Sequence, residues 1–257
     1  MIASATLSIL GLVFSSFCMK KVLNDNGSKQ FFYPIFIFTI ISLAFYTYLL
    51  MSSYSIKSNF VIALLLTFLI LNIVLLFLMF LKPAHHLALI LLPLTTVSVF
   101  LTLIFDYQNT IDKIDNDLFL HIIFSLVSYG LLGLAAIQAL LLKFQEQNLK
   151  TLDNSLLSNL LPSMEVMEKI MFDLIVIGFL LLTLAILTGA PFVAVETFGA
   201  GLQKITFSII AWVVYSYLIY QRYSSNVTGK KANNLAISGM AILFFAYLGT
   251  KILFTIL

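Results

Sequence analysis

With 257 residues, 61% of them hydrophobic and 10% charged, a net charge of +3 and a mean hydropathy of +1.07, the chain carries more apolar side chain than a solvated shell can enclose, which excludes a soluble domain. The apolar runs are continuous rather than alternating, which excludes a barrel and predicts an all-α, polytopic transmembrane helical bundle. The charge is too small and scattered for a nucleic-acid partner, and the single cysteine, Cys18, permits neither an internal disulfide nor a Cys-x-x-Cys pair.

Eight runs are long or apolar enough to predict spans: 2–19, 31–51, 60–81, 87–105, 118–142, 170–189, 205–220 and 233–257. The connections are short, so residues 1–257 read as one integral membrane domain. The first run has no basic start and is followed by Lys20 and Lys21, unlike a cleavable signal peptide. Between the third and fourth runs, His85 and His86 follow Pro83. Adjacent histidines point to different faces, so they are expected to be solvated loop residues rather than a paired metal site.

The fifth run holds His121, the only histidine within an apolar run. Ser125 and Ser128 follow at i+4 and i+7, with Tyr129 beside Ser128, so one helical face carries an imidazole, two hydroxyls and an aromatic. A titratable group in lipid usually faces the protein interior and marks function. Small residues on such a face also suit plain helix packing. Both readings stand on residue types alone.

A polar connection, 144–162, leads to Ser163, a helix N-cap, with Glu165 and Glu168 in the first turns where the helix dipole favours them. Lys169 and Asp173, four residues apart, are expected to form a structural ion pair. Met164, Met167 and Met171 at helical spacing read as core. No phosphate-binding loop, nucleophile triad or carboxylate pair appears, so no enzyme class is supported.

Ten basic residues (Lys20, Lys21, Lys29, Lys82, Lys143, Lys150, Lys169, Arg222, Lys230 and Lys231) flank the connections after runs one, three, five and seven. Only Lys57, Lys113, Lys204 and Lys251 lie on the other side. That asymmetry predicts both termini outside the cytoplasm and puts His121 about one turn below the outer boundary.

Four segments carry a likeness to known proteins: LHIIFSLVSYGLL (120–132), SMEVMEKIMFDLIVIGFLLLTLAILTG (163–189), KITFSIIAWVVYSYLIYQRY (204–223) and TGKKANNLAISGMAILFFAYLGTKI (228–252). In order and spacing they resemble the haem-handling cytochrome c assembly family (the CcsA, CcmC and HemX type), and within it the short YpjD-like inner-membrane branch. The likeness covers 118–257, while the four spans in 1–117 fit by hydropathy only.

The resemblance implies a multi-pass protein of the bacterial inner membrane, with haem as cofactor and other membrane proteins of cytochrome biogenesis as partners. His121 matches the family's outer-face histidine and so the iron ligand. Trp212 and Lys204 match the edge of its tryptophan-rich outer segment, although 190–203 holds no tryptophan. Tyr220 stands where the family has a histidine at the inner end of a span. The last outer histidine has no counterpart before Leu257, so one histidine with Tyr, Met or water opposite is what the resemblance implies.

Ser125 or Tyr129 would fix the imidazole tautomer, Phe198, Phe207 and Trp212 would line an apolar slot, and Lys204 and Lys251 would meet the propionates. Two rivals remain: a non-haem scaffold of the same fold, and a small-solute transporter. Against the transporter stands the scarcity of intramembrane charge, with Asp173 and Lys251 the candidates.

Overall fold

The computed structural model describes residues 2–25, 29–54, 60–105, 116–151, 161–193, 200–225 and 228–245. Among them are eight helices and no strand: α1 (Ile2–Asp25), α2 (Lys29–Ser53), α3 (Phe60–Leu81), α4 (His85–Ile104), α5 (Asn116–Thr151), α6 (Met164–Val193), α7 (Ala200–Ser225) and α8 (Lys230–Phe244). Each apolar run is therefore helical over its described residues. In hydrocarbon no water can satisfy backbone groups, and a helix pairs them within its own segment.

The first six helices are long and apolar enough to cross a membrane unaided. α7 carries Arg222, Gln203 and Gln221 among its apolar residues, and α8 is described only as far as Phe245. The connection expected over 144–162 is shorter than the sequence suggests, because α5 continues to Thr151. Likewise α6 starts at Met164, six residues before its apolar run.

The chain divides into two compact units, one containing α1–α4 and the other α5–α8. In the first, α1 packs on α2 and α4, and α3 packs on α4 and α2. Hydroxyls inside these helices bond back to carbonyls one turn earlier, as Thr39 does to Ile35 and Thr67 to Ala63, so they lie in apolar surroundings without orphaned donors. Several also reach a neighbouring helix. Ser15 Oγ and Thr39 Oγ1 lie 2.9 Å apart, Tyr46 and Thr102 hydroxyls 2.7 Å, and Asn72 Nδ2 donates to Thr95 Oγ1 at 2.8 Å. Each such bond contributes about 0.6–2 kcal/mol in lipid.

His85 and His86 are not solvated loop residues. Both are buried in the first turn of α4, and His85 Nε2 lies 3.1 Å from the Tyr33 hydroxyl of α2, with Tyr33 stacked on Phe80. Pro83 ends the preceding turn, and the helix restarts so early that both rings fall inside the packed end of the unit.

In the second unit α5 and α6 run antiparallel in one register over much of their length. Ser128 Oγ donates to Gly178 O at 2.9 Å, Leu132 packs on Gly178, and Gln138 Nε2 donates to Met167 O at 3.1 Å. On α5 the contact face is Ser128, Leu132, Ala135, Ala139 and Leu142, all buried, spaced alternately four and three residues apart as in a coiled-coil seam. Met167, Met171, Leu174, Leu182 and Ala185 form the buried reply on α6, so Met167 and Met171 are core, while Met164 at the start of the helix is only half-buried. An adjacent face of α6 meets α7. There Arg222 bonds Glu168 at 2.9 Å and lies 4.4 Å over the Phe172 ring, while Trp212 stacks on Phe179. α8 covers α5 and α7, with the Tyr215 ring seated against Gly239.

Candidate functional site

His121 lies in the second turn of α5, half-buried, at the end of the seam. Its ring crosses to α6, where Nδ1 is 2.9 Å from the Ala185 carbonyl oxygen. A carbonyl can only accept, so Nδ1 bears the proton and donates. In the neutral form of the imidazole this puts the lone pair on Nε2, the tautomer a metal-binding imidazole needs, held by the backbone bond that commonly orients such ligands. Ala185 O can take this bond as well as a helical one because a carbonyl has two lone pairs. Thr188 Oγ1 is 3.5 Å from the same nitrogen, too long to carry weight, and donates to Leu184 O at 2.8 Å.

What brings the ring this close is Gly189. A β-carbon there would lie 2.6 Å from His121 Cε1 and 2.9 Å from Nδ1, closer than real contacts allow. The imidazole thus occupies space that any other residue at 189 would fill.

One turn deeper, Ser125 is half-buried, and beyond it the Tyr129 hydroxyl lies 3.3 Å from Ser208 Oγ on α7. Neither is the tautomer partner expected from the sequence; Ala185 across the seam is. Trp212 Nε1 donates to Thr183 Oγ1 at 2.9 Å, two residues along α6 from the His121 acceptor but around the helix from it. His121, Tyr129 and Trp212 therefore belong to one end of this unit, each tied to α6 or α7. Tyr220 does not. It is 64% exposed, two residues from Arg222 and so level with Glu168, about 25 Å along α6 from Ala185. Phe207 is 38% exposed on α7. Lys204 lies in the first turns of α7, with its side chain outside what is described, and Phe198 and Lys251 lie outside the described residues altogether.

The expected Lys169–Asp173 pair is not the charged contact the structure displays at the other end, where the ion pair runs between helices from Arg222 to Glu168. Residue reasoning marks Gly189 as a close-approach position but missed Ala185 and the seat that Gly189 gives the His121 ring. The signal for them was the run 178–189, which begins with Gly178 under Leu132 and ends with Gly189 under His121.

No group of three or more His, Cys, Asp or Glu side chains able to hold a metal ion occurs among the described residues. A bare ion would thus find one imidazole and no further donor set. Haem iron, already held by its porphyrin, would need from the protein a single imidazole, and His121 in the Nδ1–H tautomer would fit that requirement.

Residues 2–257 match the family model described as cytochrome C assembly protein. The chain belongs to the cytochrome c assembly family. Among curated relatives of this family, it is 33% identical over 132 residues to "Inner membrane protein YpjD" of Escherichia coli (strain K12), covering 51% of this chain and 50% of that protein. It is 30% identical over 92 residues to "Cytochrome c biogenesis protein CcsA" of Prochlorococcus marinus (strain MIT 9303), covering 35% of this chain and 29% of the relative. A further CcsA, from Synechococcus sp. (strain RCC307), is 32% identical over 92 residues, covering 35% of this chain and 29% of the relative. The matched region spans about half the length of the first of these relatives or less. No solved structure matches.

Proposed function

We propose that this protein is an integral inner-membrane component of cytochrome c or haem-protein assembly, and that it holds haem through Nε2 of His121. Family membership supports the role, and the inner-membrane placement follows the relative named for it. The observation that carries the site is the 2.9 Å bond from Nδ1–H to Ala185 O, which leaves the ligand lone pair on Nε2. Bound haem would supply the iron, and His121 would be the residue that holds it. Around it, this chain orients the ring through Ala185 and Gly189. Trp212 and Tyr129 provide apolar surface at the same end, and Lys204 and Lys251 provide cations for propionates. Other membrane proteins of cytochrome biogenesis are its partners in this reading. A haem-free scaffold of the same fold is the second reading, favoured by the exposure of Tyr220 and its distance from His121.

The test is an absorption spectrum of the purified full chain supplied with haem. A Soret band in the wild type that disappears in His121→Ala, with helical content unchanged, is the expected result. Lys204→Ala should only weaken binding, because one propionate pair near water contributes about 1 kcal/mol or less. A wild type that takes up no haem selects the scaffold reading. A His121→Ala protein with the full band moves the ligand to another residue.

A further inference from the structure

At the far end of the same unit, between the first turns of α6 and the last turn of α7, is a cavity of about 180 Å³. Its polar lining is Lys169, Asp173, Arg222 and Tyr223, over an apolar floor that includes Phe172 and Ile219. Both signs of charge therefore meet in one small space where two predominantly apolar helices end. Arg222 is held in place from two sides, by Glu168 at 2.9 Å and by the Phe172 ring at 4.4 Å beneath its guanidinium. Lys169 is exposed at the rim.

The depth of the cavity in a bilayer is marked independently by aromatics. Tyr217, Tyr220 and Tyr223 on α7 are 51%, 64% and 76% exposed, and Gln221 Nε2 donates to the Tyr217 hydroxyl at 2.8 Å. Exposed tyrosines clustered at a span end are the mark of the membrane–water interface, where phospholipid headgroups lie. Tyr220, remote from His121, has its place in this belt.

We propose that this cavity is a headgroup site for a phospholipid that carries a primary amine, of the phosphatidylethanolamine type. The phosphate lies between Lys169 and Arg222, both charge-assisted donors, and the ammonium donates to the Asp173 carboxylate. The acyl chains leave along Ile219, Tyr220 and the exposed Ile177 of α6. A purely anionic headgroup would bring its charge to Asp173 without compensation. A choline headgroup has no N–H to donate.

Native mass spectrometry of the full chain, extracted in detergent and offered palmitoyl-oleoyl phosphatidylethanolamine, phosphatidylcholine or phosphatidylglycerol in turn, tests this. The wild type should retain the ethanolamine lipid over the choline lipid about fivefold, the size expected of one charge-assisted hydrogen bond. Asp173→Asn should erase that preference. Lys169→Gln should lower ethanolamine-lipid retention, with Lys169→Arg restoring it. Should Asp173→Asn fail to fold, the Lys169 pair decides, since that side chain is exposed. Equal retention of the ethanolamine and choline lipids, strongest retention of the glycerol lipid, or indifference to Lys169→Gln would each overturn the proposal.

Discussion

The contact between His121 and Gly189 leaves the imidazole no room to retreat, because the ring is also tied to the Ala185 carbonyl one turn away. A methyl group at 189 would have to displace the ring and with it the Nδ1–H bond. Gly189→Ala should therefore cost about 1–3 kcal/mol as an overpacked contact. It should also change the His121 side-chain nitrogen shifts from the Nδ1–H tautomer towards a mixture, read by 15N NMR on histidine-labelled protein without haem. Unchanged shifts would mean that the glycine does not hold the ring. His121 itself was legible in the sequence, since an imidazole is conspicuous among leucines. Its partner was not, because a backbone acceptor on another helix leaves no mark of its own in a side-chain pattern. Ser125 and Tyr129 looked like partners because they share a helical face with His121, yet the ring points across the seam rather than along it.

At the scale of helices, α5 and α6 approach closely because Gly178 lies under Leu132, where a β-carbon would be 2.8 Å from Leu132 Cδ2. Without water to drive association, close backbone approach and a few interhelical hydrogen bonds hold such a pair. Gly178→Leu should separate the helices and break the Ser128 bond to Gly178 O, lowering the yield of monodisperse protein and its melting temperature. Leu181→Ala, at a half-buried position off the seam, should cost about 1 kcal/mol. Equal tolerance of the two would place Gly178 against lipid. All eight helices could be read from hydropathy, since a continuous apolar run has few alternatives in a membrane. Their ends could not, because polar residues continue α5 to Thr151 and open α6 at Met164 without any apolar signal. The buried His85–His86 turn was hidden for the same reason: polarity suggested water, and the Tyr33 hydroxyl took its place.

For the whole molecule, the distribution of basic residues predicts which way the helices thread. Ten of fourteen basic residues fall on one set of connections, and Lys and Arg near span ends are retained on the cytoplasmic side during insertion. Eight spans with that bias predict both termini outside the cytoplasm, with Arg222 and Lys169 at the inner surface and His121 near the outer one. Among the described residues six helices are apolar enough to cross unaided, and α7, with Arg222, Gln203 and Gln221, is supported by packing, as Trp212 on Phe179 and Tyr215 on Gly239 allow. An even count of eight predicts that the two termini share a side. An alkaline phosphatase fused after Leu257 should therefore be active, and a fluorescent protein that folds only in the cytoplasm should be dark there. A bright C-terminal fusion would overturn this orientation; an odd number of spans would be the simplest cause, and the segment to suspect first is α8. In that event His121 and the Arg222 end would have to be assigned to their membrane faces by fusions within the connections themselves.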